Sequence, residues 1–120
     1  MADRMLMVCW GSPVRGREER GLEVFNEAVG LAGRMQQDGR IESFDIGLFA
    51  PNAVMNGYLQ MRGSAEQIAA LAEDEEFTRN TIDASLIVED LCHLQGVCNE
   101  GIAEQIAMYT DATGKVPQTA

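Results

Sequence analysis

Arg4-Met5-Leu6-Met7-Val8-Cys9-Trp10 is nearly continuous apolar sequence, the mark of a central strand covered on both faces. Gly11-Ser12-Pro13 stops it. Pro13 to Gly16 reads as a loop, and the charges from Arg17 to Arg20 open a helix. Along that helix Leu22, Phe25, Val29, Ala32 and Met35 recur at helical spacing, and Gly39 is placed to end it in a left-handed turn. Residues 41–49 alternate, with Phe44, Ile46 and Leu48 on one face and Ser43, Asp45 and Gly47 on the other. Pro51-Asn52 marks a turn. Residues 55–62 alternate again, with Met55, Leu59 and Met61 opposite Asn56, Tyr58, Gln60 and Arg62. The two runs predict a hairpin.

Ser64-Ala65-Glu66-Gln67 is a capping box, opening a short helix through Ile68, Leu71 and Ala72. The acidic run Glu73-Asp74-Glu75-Glu76 reads as a solvated helix end or turn, and Phe77 as a plug on the core. Residues 81–89 predict a fourth strand, with Ile82, Ala84, Leu86 and Val88 on one face and Asp83, Ser85, Ile87 and Glu89 on the other. Leu91 to Cys98 reads as a connector, with His93 at a strand end. A last helix is expected from about Asn99 to Tyr109, carrying Ile102, Ile106 and Tyr109 on one stripe.

The order β-α-β-β-α-β plus a C-terminal helix is the ferredoxin-like arrangement of the α+β class. It predicts an antiparallel sheet in the order 4-1-3-2 with helices on one face. One domain is expected over residues 1–112 and a flexible tail over 113–120.

Composition narrows the partners. The net charge of −10 argues against nucleic acid, whose phosphates need clustered Lys and Arg. No apolar run reaches the roughly 18 residues of a membrane span, and the N-terminus has no signal-peptide pattern, so a cytoplasmic protein is expected. Cys9, Cys92 and Cys98 form no C-x-x-C pair and read as reduced thiols. Cys92, His93 and Cys98 are the one cluster of soft ligands, but a structural zinc site needs four donors, so no metal and no cofactor are expected. Ser12 lacks a nucleophile elbow, and the glycines match no phosphate-binding loop.

With the Arg15-Gly16-Arg17-Glu18-Glu19 segment after the first strand and Gly63-Ser64-Ala65-Glu66-Gln67-Ile68 at a strand-to-helix junction, residues 4–90 resemble the dimeric α+β barrel superfamily. That superfamily includes the antibiotic-biosynthesis-monooxygenase-like group. The resemblance implies a homodimer whose sheets pair face to face around a cavity. Members include cofactor-independent monooxygenases, haem-degrading enzymes, lactone isomerases and non-enzymatic sensors, so the fold does not select an activity. The single imidazole, His93, departs from the haem-degrading pattern.

The layout assigns Asp45, Tyr58, Arg62 and Asp83 to the open sheet face, with Trp10 at its edge, as ligand-binding candidates. Arg62 is the one base expected on that face. It reads either as a structural ion pair or dimer contact, or as a clamp for an anion or carbonyl. Asp45 or Asp83 would serve as a base if burial raised its pKa. Tyr58 would donate to an oxyanion, or be a half-buried strand aromatic. Trp10 would stack on a ligand, or anchor a core or interface. The expectation is a homodimer that binds a small aromatic or weakly acidic molecule over the open sheet face. It would be a cofactor-independent enzyme of the monooxygenase or isomerase kind, or else a non-enzymatic sensor or a structural dimer.

Overall fold

The computed structural model describes residues 2–117 and 119; residues 1, 118 and 120, which include parts of the expected domain and tail, lie outside them. The elements are β1 (Arg4–Trp10), α1 (Glu18–Gln37), β2 (Ser43–Leu48), β3 (Gly57–Gly63), α2 (Ala65–Glu73), α3 (Glu75–Ser85), β4 (Cys92–Val97) and α4 (Glu100–Thr113). The sheet order is β2-β3-β1-β4, which is the expected 4-1-3-2 read from the other edge. All three strand pairs are antiparallel.

The register sorts the side chains. Val8 faces His93 and Leu59, and Leu59 faces Ile46. This row and its neighbours meet the helices, because directly opposed residues share a face. Met7, opposite Leu94 and Gln60, belongs to the other, open face with Met5 and Cys9. Between sheet and helices Leu6, Met35, Ile41, Met61 and Phe77 form the buried core. Each such side chain contributes about 1.5–3 kcal/mol by leaving water. On α1 the buried stripe is Val24, Leu31, Ala32 and Met35, while Leu22 points to solvent.

The fourth strand lies later than the alternation over 81–89 predicts. Residues 75–85 are helical, and the strand is Cys92–Val97. Asp74 decides this. Its carboxylate accepts from the Phe77 backbone N–H at 2.9 Å, while Glu75 and Glu76 occupy the favourable first turn of α3. The helix then buries Phe77 and lays Ala84 over the sheet side, so its apolar residues satisfy a helical as well as a two-residue period. The true β4 is polar and interrupted by Gly96 because it is an edge strand, and an edge needs no continuous apolar run.

α4 stands apart. Residues 102–112 are exposed on every side, including Ile102, Ile106 and Tyr109. The radius of gyration is 16.9 Å, above the roughly 14 Å of a compact chain of this length.

Candidate functional site

A cavity of about 80 Å³ opens between α1, α3 and the helix-facing side of the sheet. Its walls are apolar: Trp10 and Leu59 from the sheet, Val24 and Phe25 from α1, Phe77 from α3 and Ile87 from the loop before β4. Trp10 meets Phe25 edge to face, with ring centroids 5.9 Å apart. Among these walls stand three polar side chains, Asn80 and Thr81 of α3 and His93 of β4. Asn80 donates to the Val24 carbonyl at 3.2 Å, so it clamps α3 to α1.

His93 sits at the rim. One face of its ring stacks on Phe77 with centroids 5.4 Å apart, and the residue is partly exposed to solvent. Partial burial holds its pKa below the ordinary 6.5, because the charged imidazolium is disfavoured beside an apolar wall. The ring is therefore neutral at pH 7. Thr81 Oγ1 lies 3.5 Å from Nε2 and donates its own proton to the Phe77 carbonyl at 2.9 Å. With that proton committed, Oγ1 only accepts. A ring proton on Nε2 would satisfy this contact and leave Nδ1 as the basic nitrogen, an assignment that ring nitrogen shifts test.

The residues singled out from the sequence separate into three places. Trp10 lies on the helix side, in the cavity wall, and not on the face that carries Tyr58. Asp83 is on α3 and not on the sheet, because the fourth strand lies elsewhere. It pairs with Arg20 of α1 at 3.2 Å on the solvent side. Asp45, Tyr58 and Arg62 do come together on the open face. Arg62 reaches Asp45 Oδ1 at 2.9 Å, an ionic contact without directed hydrogen-bond geometry, and the Tyr58 hydroxyl donates to Asp45 Oδ2 at 3.4 Å. The Tyr58 ring lies across Gly47, where an added Cβ would come within 2.1 Å of it. The Arg62 guanidinium, read from the sequence either as a structural ion pair or dimer contact or as a clamp, is thus paired within the chain.

Sequence reasoning left His93, Asn80 and Thr81 outside the site. The signal that finds them is Asp74-Glu75-Glu76 read as a helix start, which moves the strand onto His93 and the helix onto Asn80 and Thr81. Among the described residues, no three His, Cys, Asp or Glu side chains stand together as metal donors, and no helix is long and apolar enough to cross a membrane.

No protein-family model matches the chain, and no curated protein matches it. Solved structures do match in fold. A dimeric ferredoxin-like protein of unknown function from Bacteroides fragilis superposes with a TM-score of 0.62 at 14% identity, covering 82% of this chain and 98% of that one. An antibiotic biosynthesis monooxygenase-like protein from Chloroflexus aurantiacus gives 0.54 at 10% identity, covering 82% and 95%. The hydroxynitrile lyase of Passiflora edulis gives 0.58 at 8% identity, covering 83% and 97%. At these identities the neighbours show a shared ferredoxin-like fold.

Proposed function

We propose that this chain forms a homodimer and binds a small, mainly apolar molecule in the cavity between the helices and the sheet, with His93 taking a proton from it. The observation that carries the reading is the chain's sole imidazole, neutral at pH 7, at the mouth of an apolar cavity with few other polar groups. Such a base, set beside a desolvated wall, suits abstraction of a proton from a weakly acidic C–H or O–H. That is chemistry of the monooxygenase or isomerase kind. Apolar walls would hold an aromatic or aliphatic body, and the acidic surface disfavours anions.

The homodimer reading rests on three features. Several neighbours are described as dimeric. The open sheet face exposes Leu94 beside Met5 and Met7, and the projecting α4 exposes Ile102, Ile106 and Tyr109. Exposed apolar side chains of this kind favour a second copy. Arg62, paired with Asp45, fits a dimer contact on this face better than a free anion clamp. Light scattering should read twice the 13.1 kDa chain at micromolar concentration.

A non-enzymatic sensor is the second reading, favoured by how few polar groups line the cavity. His93→Gln separates the two. An enzyme loses turnover of a screened weak-acid substrate by 100-fold or more while the variant still quenches Trp10 fluorescence on binding. A sensor shows the same quenching and no turnover in either form. Absence of quenching by any small apolar probe would remove both.

A further inference from the structure

Cys9 and Cys92 stand directly opposite each other in the β1–β4 ladder. Directly opposed residues of an antiparallel pair project on the same side, here the open face, with Cα atoms about 4.5–5.5 Å apart. That separation lies inside the range a disulfide spans. The two thiols differ in setting: Cys9 is 2% exposed on the central strand, while Cys92 begins the edge strand and is exposed. Cys98 lies at the far end of β4, six residues on, which is about 20 Å of extended chain. Its thiol faces the Ala2 and Arg4 carbonyls. Within one folded chain, Cys92 therefore has Cys9 as its one thiol partner.

We propose that Cys9 and Cys92 are a reversible dithiol–disulfide site, oxidised by low-molecular-weight disulfides. The exposed Cys92 thiolate attacks one sulfur of the small disulfide. That S–S bond breaks, one small thiolate leaves and takes up a proton, and a mixed disulfide remains on Cys92. Cys9 then yields its proton to water and its Sγ attacks the Cys92 Sγ. The second small thiolate leaves and is protonated. One protein disulfide has formed, and one small disulfide has become two thiols.

The order of attack follows from the setting. Burial, and the neighbouring Cys92 thiol in second place, push the Cys9 thiol above its ordinary pKa, so Cys9 is the slower nucleophile and the resolving partner. Reversibility follows from the ladder. Opposed strand residues hold their Cβ atoms about 4.5–5.5 Å apart. A disulfide draws them to about 3.5–4.5 Å, and with Cys92 exposed on the edge strand the bridge stays open to attack by a reducing thiol. It would pin the start of the edge strand to the central strand, one residue before His93. The chemistry stands on the register alone and does not depend on what the cavity binds.

The test uses the native full-length protein and oxidised glutathione, followed by alkylation of remaining thiols and mass analysis. The wild type should lose two hydrogens, yield a cross-linked Cys9–Cys92 peptide, leave Cys98 alkylated, and return to the dithiol with dithiothreitol. Cys9→Ser should stop at the glutathione adduct on Cys92. Cys92→Ser, at an exposed position that should not disturb folding, should react at least tenfold more slowly. A glutathione adduct that persists in the wild type, a Cys92–Cys92 link between two chains, or a bridge formed only in denaturant would each overturn the proposal.

Discussion

His93 is the chain's one histidine, so its ring gives a single set of titrating proton resonances. Its folded pKa lies below the unfolded value of 6.5 because burial disfavours the charged ring. The stability this residue contributes is therefore present above pH 6.5 and declines as pH falls through the lowered folded pKa, since the unfolded chain then binds the proton more readily. The NMR midpoint should fall below 6.5, and ring nitrogen shifts should place the proton on Nε2 above it. In Phe77→Leu the midpoint should move back toward 6.5, because the stacked aromatic wall is gone. A midpoint above 6.5 in the wild type would mean that a carboxylate and not the apolar wall governs the ring.

Gly47 offers a second test at this scale. Its bare Cα admits the Tyr58 ring at a distance no side chain allows. Gly47→Ala should cost roughly 1–3 kcal/mol in denaturant unfolding, the usual range for overpacking. In a Tyr58→Ala background the same change should cost almost nothing, and the difference is the coupling between the two positions. Equal costs in both backgrounds would place the strain elsewhere. The Gly47–Tyr58 relation was half legible in the sequence. Alternation put both residues on one face, but only the register set them side by side.

Among the elements, the β2–β3 hairpin, the central β1 and α2 with its capping box follow the sequence closely, because alternation and capping are local signals. α3 and β4 do not. Ile82 to Glu89 satisfies two periods at once, and tertiary packing of Phe77, together with the Asp74 cap, selects the helix. Asp74 ends α2, starts α3 and pairs with Arg40. Asp74→Ala should destabilise the protein by about 1–2 kcal/mol, chiefly through the lost N-cap. Asp74→Ser should recover most of that in thermal unfolding, since a hydroxyl accepts the same N–H. If Ser is as damaging as Ala, the Arg40 pair and not the cap carries the effect. This one misplaced boundary also explains the site. Moving the strand from 81–89 to 92–97 carries Asp83 away from the sheet and brings His93 onto it.

At the scale of the whole molecule, the sheet has two faces with different tasks. The helix side encloses the apolar cavity with His93 at its rim. The open side carries the paired Arg62, Asp45 and Tyr58 and the Cys9–Cys92 pair. Sequence patterning identified both faces and assigned the ligand to the open one, where polar side chains are visible; an apolar cavity between layers leaves no such mark in a sequence. The most direct measurement is an amide and side-chain NMR shift map of the isotope-labelled protein titrated with a small phenol. Saturable shifts are expected at the Trp10 indole, Phe25, Thr81 and His93. Shifts confined to Met7, Tyr58, Gln60 and Arg62, with the Trp10 indole and His93 unmoved, would place the ligand on the open face and contradict the cavity as the binding site.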